Sequence, residues 1–326
     1  MKVADMLNSS KLSVKEKEIL RTLPNQGKVA INNFFDENSN IGSSAYLHRV
    51  LSKTSFQPNE NELLYHYTTS DSVKKILKSR TWLIKQKSFM NDPKEFSYTI
   101  DLAKDILRNL EANTDDIAAF GDSFKRVPIS DSYIWSFTKN KSSQTLFGNY
   151  SGNKNGVALG LNSKEVQDVL CLHFLHGKSD PNSIAEGEAF PIALRVVYDE
   201  KVQRNYLKPL VEEWLLAYKN LESMPSCQRD ICATCLTFIS YFALLFKNPL
   251  LRQEEEIRFV ITYKGDKDYS ERVINNVPYV KCEISPNIVR EAILQTGNPM
   301  KVSELEDLFK ECGFNDVKVF RSELPY

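Results

Sequence analysis

The chain lacks any run of about 18 apolar residues, so no segment reads as a membrane-spanning helix. Its first residues, MKVADMLNSSKLSVKEKEIL, lack the apolar core of a signal peptide and read as amphipathic, which makes cytoplasmic residence the expectation. Net charge is also missing, because Lys+Arg and Asp+Glu both total 42. That balance excludes a protein that works mainly by neutralising nucleic-acid phosphate with bulk positive charge. No fixed-period repeat and no low-complexity tract is present. Six cysteines in 326 residues, several inside apolar segments, fit reduced thiols and not a disulfide framework. There is no glycine-rich phosphate cradle between a strand and a helix, which argues against Rossmann-type dinucleotide binding.

What is there belongs to a globular protein, with 42% hydrophobic and 26% charged residues and enough length for a large core. Residues 1–60 read as a helical extension, with SVKEKEIL and SSAYLHRVLSK as helix starts and NQG and DENSNIGSS as breaks. At residue 61 the texture changes and a second domain, 61–326, begins. LLYHYTT is short, aromatic and β-prone. SDSVKKILK follows as a helix, capped by Ser70 or Asp71, with Val73, Ile76 and Leu77 on one face. SYTIDLAKDILRNLEA reads as a helix, and SYIWSFT, GVALGLN, IALRVVY and IRFVITYKG read as strands. ICATCLTFISYFALLF is apolar all round and reads as a buried helix. SELEDLFKECGFNDVKVFR reads as a helix, a glycine stop and a last strand. The fold class expected is α+β with a largely antiparallel sheet.

Chemistry-bearing residues fall into separate clusters. Cys227, Cys232 and Cys235, and Cys171, His173 and His176, invite a metal reading, but their spacing is irregular and thiols pack well as small hydrophobes; no metal is expected. In LRQEEEIRFVITY, strand alternation would put Glu254, Glu256 and Arg258 on one face and Ile257, Phe259 and Ile261 on the other. Two carboxylates at that spacing raise at least one pKa unless a cation such as Arg258 compensates; a solvated strand end is the alternative. IWSFTKN would place Ser136 and Thr138 on one face, with Tyr150 in the loop that follows. In FMNDPKEF, Asn91 and Asp92 mark a turn and Glu95 opens a helix, chiefly a structural arrangement.

The order of these pieces carries a resemblance. LYHYTTSDSVKKILKSRTWLI, FMNDPKEF, WSFTKN with LFGNYSGNKNGVALGL, LRVVYDEK and FKNPLLRQEEEIRFV together resemble the bacterial domain-of-unknown-function family numbered 2971, from about residue 63 to the C-terminus. The most specific element is Phe246-Lys247, a spacer, then Glu254, Glu256 and Arg258; one departure is Phe147, where the family usually has Trp. The same order is similar, more distantly, to ADP-ribosyltransferases. A first strand with His66 and Thr68 precedes a helix with Ile76-Leu77. A middle strand bears Ser136-Phe137-Thr138, and Glu254-x-Glu256 enters a late strand.

That second resemblance implies an ADP-ribosyltransferase-like sheet core flanked by helices, and NAD as substrate. Cleaving the N-glycosidic bond of NAD develops an oxocarbenium-like ribose, which a carboxylate beneath the sugar stabilises. The resemblance implies Glu256 for that role and Glu254 as base for the acceptor or water. His66 would bond a ribose hydroxyl, with Tyr67 and Thr68 shaping the wall, and Tyr150 would stack on nicotinamide. Ser136 or Thr138 would support Glu256, with Arg258 compensating the paired charges. His66 and Glu256 should then face each other across one pocket. The expected function is an NAD-using transferase or NAD glycohydrolase, deployed as a bacterial toxin or anti-phage effector. The acceptor stays open among protein, nucleic acid, small molecule and water, and residues 1–60 are open to a regulatory partner. Two alternatives stand beside it. One is a non-catalytic nucleotide-sensing or protein-interaction module. The other, ranked last, is a metal-dependent phosphate enzyme using Asp92, Glu95 and the late glutamates.

Overall fold

Short segments rich in aromatic and β-branched residues form the strands, and longer segments with apolar residues three and four apart form the helices. A computed structural model of the chain describes residues 2–45, 47–90, 95–126, 132–152, 154–175, 189–263 and 271–325. Its strands are Leu63–Thr69 (β1), Thr81–Gln86 (β2), Ser132–Thr138 (β3), Gly156–Asn162 (β4), Ala189–Arg195 (β5), Glu256–Tyr263 (β6), Glu271–Ile274 (β7), Val277–Glu283 (β8), Val289–Leu294 (β9) and Lys318–Arg321 (β10). Its helices are Val3–Asn8 (α1), Val14–Thr22 (α2), Asn25–Phe35 (α3), Asn40–Ala45 (α4), Leu47–Thr54 (α5), Ser70–Ser79 (α6), Glu95–Asn109 (α7), Thr114–Lys125 (α8), Gln144–Tyr150 (α9), Ser163–Phe174 (α10), Glu200–Asn220 (α11), Pro225–Phe242 (α12) and Val302–Glu311 (α13). Among the described residues no helix is long and apolar enough to cross a membrane.

The chain divides into two units. The sheet unit holds residues 55–91, 130–196 and 250–326. It is α+β, with a mostly antiparallel open sheet in which β9 and β10 are the parallel pair. β6 pairs with β3 from Ser132 to Thr138, which fills one edge of β3. The other edge is shared: Thr138 pairs with Tyr65 of β1, whereas Tyr133 and Ile134 pair with β2. The sheet therefore forks at β3. One arm continues through β1, β4, β9 and β10, the other through β2, β8 and β7. Among the described strands β5 pairs only with β6; its other side meets the chain at the Ser55–Leu194 bridge, beyond Pro191, which has no N–H to give to a second neighbour. The strand also ends at Arg195, short of the IALRVVY expected.

The main core lies on one face of this sheet. Trp135, Phe137, Leu159, Ile257, Phe259 and Ile261 face inward there, packed with Val73 and Leu77 of α6, Val166 and Leu170 of α10, and Leu305 and Phe309 of α13. On the other face, α9 lays Leu146 and Phe147 against Tyr65, Tyr67, Ala158 and Ile293. Helix α6 is capped one residue earlier than expected. The Thr69 hydroxyl accepts from Ser72 N at 3.2 Å, and Ser70 is the first helical residue, because Thr69 still has the extended backbone of β1. Helix α13 ends as its sequence suggests: Gly313 takes φ +84 and Phe314 N closes back on Phe309 O at 2.8 Å.

The helical unit holds residues 1–54, 92–129 and 197–249. The N-terminal helices are thus part of a larger helical body that includes α7, α8, α11 and α12, where a separate extension ending at residue 60 was expected. The reason is apolar surface. Leu20, Ala30, Ile31 and Ile41 need burial, and α11, about 31 Å long at 1.5 Å per residue, offers a face for α3, α4, α7 and α12. α11 turns in Leu207, Leu210, Val211, Trp214 and Ala217, and Phe120 of α8 meets the Trp214 ring edge-on at 5.0 Å. Gly27 permits a close approach of α3 to the end of α11, since a Cβ there would lie 2.7 Å from Asn220 O. α12 was expected to be buried all round, but it buries one stripe, Ile231, Cys235, Leu236, Ile239 and Phe242, and leaves Ala233 exposed.

Candidate active site on the forked sheet

The late carboxylates are placed by a turn before they are placed by a strand. Pro249–Glu254 forms a 3-10 helix, Glu255 takes the left-handed conformation at φ +45, and β6 begins only at Glu256. Alternation therefore sets the faces of Glu256, Arg258 and Val260 but not that of Glu254, contrary to the expectation that all the late carboxylates follow the strand. Glu254 and Glu256 are nonetheless both buried, and the exposed Glu255 lies between them.

Arg258 has no exposed surface and donates from Nη2 to Glu256 Oε2 at 2.8 Å. Burial pulls the guanidinium down to about 9. Across the ladder, Ser136 is the register partner of Arg258, and Thr138 that of Glu256. Thr138 Oγ1 accepts from Asn140 N at 3.1 Å, which leaves its proton to donate elsewhere. Ser136 Oγ is buried and makes no hydrogen bond. Tyr150 closes α9, and its hydroxyl donates to Glu254 Oε1 across a long 3.5 Å.

One register row crosses five strands: Glu256 on β6, Thr138 on β3, Tyr65 on β1, Gly160 on β4 and Glu291 on β9. Tyr65 donates to Glu291 Oε2 at 3.0 Å. Its ring reaches that carboxylate by lying over Gly160, where a Cβ would come within 2.9 Å of Tyr65 Cε1. Burial and the Glu291 carboxylate both drive the Tyr65 phenol well up from its usual range. Tyr65 and Glu291 join the candidate site although neither was singled out from sequence; the one early signal for Tyr65 was its shared parity with Tyr67 in LLYHYTT. Tyr67 lies on the same face, but its hydroxyl is committed to the β3–α9 loop. It donates to Asn140 O at 2.8 Å and accepts from Ser143 N at 2.9 Å, while its ring packs on Phe147. Burial raises this phenol to about 12.

His66 is where the expectation fails. Tyr65 shares the face of Thr138 and Glu256, so His66, the next residue, projects from the opposite face. There it meets Trp82 edge-on at 4.9 Å and Phe137 at 5.9 Å. Its Nδ1 donates to Ser136 O at 2.8 Å, just where β1 and β2 part and leave β3 without a strand neighbour. A carbonyl can only accept, so Nδ1 carries the proton and Nε2 is bare. Burial lowers the imidazole to about 4. Thr68 shares the His66 face by the same parity. The sheet thus separates His66 and Thr68 from Glu256, and the shared pocket expected for the pair is not formed.

Phe246 and Lys247 belong to the helical unit. Phe246 stacks on Phe242 at 5.1 Å, and Lys247 O accepts from Gln203 Nε2 at 2.9 Å. Among the described residues no three His, Cys, Asp or Glu side chains converge as metal ligands. Asn91, Asp92 and His176 lie outside the described residues, as does the side chain of Glu95. No protein-family model, no curated protein and no solved structure matches the chain.

Proposed function

We propose that the chain is an NAD-using enzyme, an ADP-ribosyltransferase or NAD glycohydrolase, with its site on the Glu256 face of the forked sheet. The observation that carries this reading is the buried Glu256–Arg258 pair beside Thr138 at the start of β6, with a second buried carboxylate, Glu254, reached by Tyr150, two residues before it. The adjacency of β6, β3 and β1 supports the ADP-ribosyltransferase-like reading of the fold, since it sets the Glu-x-Glu, Ser-x-Thr and histidine strands side by side.

In this reading Glu256 lies beneath the ribose and stabilises positive charge as the bond from the ribose anomeric carbon to the nicotinamide nitrogen breaks. The bonding pair leaves with nicotinamide, which becomes neutral. The acceptor's oxygen or nitrogen, or that of water, bonds to the vacated carbon and loses its proton to Glu254. Arg258 holds Glu256 ionised and in one orientation. Tyr150 stacks on nicotinamide, and the unbonded Ser136 hydroxyl meets a polar group of the substrate. His66 takes no ribose contact; it props the fork. The deployment that goes with the chemistry is a toxin or anti-phage effector.

A second reading rests on Arg258 itself. A fully buried guanidinium that neutralises Glu256 also suits a face that recognises a nucleotide without cleaving it. The discriminating experiment follows nicotinamide release from NAD by wild type and by Glu256→Gln, with acceptor candidates present. Release that falls at least a hundredfold in the folded variant supports catalysis. No release from wild type, with NAD binding retained in a titration, supports the sensing module; neither release nor binding removes NAD from both.

A further inference from the structure

The helical unit carries an open cavity of about 510 Å³ on its surface that the chemistry above does not use. Its walls come from α3, α4 and the C-terminal half of α11, joined by Leu110 after α7. That volume holds a small organic molecule. The lining combines apolar surface from Ile41, Pro209, Leu215 and Leu216 with the carboxamides of Gln26, Asn33, Asn40 and Asn220.

Glu213 is the anomaly in this wall. The residue is 3% exposed. Asn33 donates to Oε2 at 3.0 Å, but Oε1 is buried and makes no hydrogen bond. The other charged lining residues are already engaged: Lys219 reaches Asp116 at 3.0 Å, and Glu212 faces Lys208 at 3.6 Å. Buried carboxylates are ordinarily paired or fully hydrogen-bonded, and this one is neither. From α12, the thiols of Cys232 and Cys235 lie close enough for the Glu213 charge to push them up further than burial already does.

We propose that this cavity binds a small organic cation, its ammonium or guanidinium group seated on Glu213 and its hydrocarbon part against Leu215, Leu216 and Ile41. Oε1 is closed off where the side chain stands, so binding turns the carboxylate toward the cavity; a nitrogen donor then supplies the hydrogen bond that Oε1 lacks, and positive charge compensates the carboxylate. The carboxamides bind the remaining N–H groups. Burial raises the Glu213 carboxyl to about 7, against the pull of Asn33, so the cation binds best above that pH.

The test titrates the full chain with agmatine and with spermidine by calorimetry at physiological ionic strength, at pH 8 and pH 5.5, with glutarate as an anionic control. The expected result is saturable binding at pH 8, weaker at pH 5.5, and none of glutarate. Glu213→Gln should weaken binding by about tenfold or more, the worth of a charged hydrogen bond. Leu216→Trp, which fills the cavity and leaves the carboxyl in place, should abolish binding while the helical circular dichroism is kept. No binding of either cation, binding undiminished in both variants, or equal binding of glutarate overturns the proposal.

Discussion

Arg258 is fully buried with its guanidinium 2.8 Å from Glu256, and the two charges depend on each other. Removing one partner of a buried ion pair is ordinarily strongly destabilising, whereas replacing both with apolar residues of similar volume is often neutral. Glu256→Met should therefore destabilise the sheet unit by about 3–5 kcal/mol in urea unfolding, and adding Arg258→Met to it should recover most of that loss. A double variant no more stable than the single one would show that the pair is not a closed charge system. The parity of His66 is a residue-scale matter too. One step along β1 decides whether a side chain joins Glu256 or the Trp82–Phe137 cluster.

At the scale of elements, two joints concentrate strain and close packing. Glu255 sits at φ +45 between the 3-10 helix and β6, a conformation costing an ordinary residue roughly 1 kcal/mol. Its side chain is exposed, so Glu255→Gly should raise stability by about 0.5–1 kcal/mol in denaturant unfolding and leave the site's geometry intact. A loss of stability would mean that the Glu255 side chain contributes more than its backbone costs. The second joint is Gly27, whose missing Cβ lets α3 approach the end of α11. Gly27→Ala would push a methyl to 2.7 Å from the backbone carbonyl of Asn220, which cannot rotate away. A melting experiment should show a loss of about 1–3 kcal/mol from the helical unit, even though alanine is the better helix former.

For the whole molecule, two buried titratable groups bend the pH dependence of stability in opposite senses. His66 is held near 4 in the folded sheet unit against an ordinary 6.5, so the unfolded chain takes its proton first as pH falls. That unit should lose up to about 3 kcal/mol between pH 6.5 and pH 4. Glu213 is held near 7 in the folded helical unit against an ordinary 4.5, so the unfolded chain releases its proton first as pH rises. That unit should lose a similar amount, about 3 kcal/mol at most, between pH 4.5 and pH 7. Hydrogen exchange resolved by segment would show the two units changing in opposite directions between pH 4.5 and 6.5. His66→Gln should flatten the first trend and Glu213→Gln the second, and trends unchanged by these substitutions would assign them to other groups.

Local chemistry determined much of this protein without any tertiary information. Apolar spacing and aromatic content marked β1, β3, β4, β6, α6, α7, α12 and α13, and Gly313 marked the last helix stop, because these features depend on neighbours a few residues away. The pairing of Glu256 with Arg258, two residues apart on one strand face, was legible for the same reason, whereas the placing of Glu254 by the turn before β6 was not. Register and parity between distant strands were not. Tyr65 pairs with Thr138 through a ladder whose offset is set by how the faces pack, and that offset sent His66 away from Glu256 and brought Tyr65 and Glu291 into its row. The partnership of residues 1–54 with α11 was equally hidden, since it rests on complementary helix surfaces nearly two hundred residues apart, such as Asn33 on Glu213. Sequence determined which side chains could do chemistry; only the packing of the two units' own elements decided which of them meet.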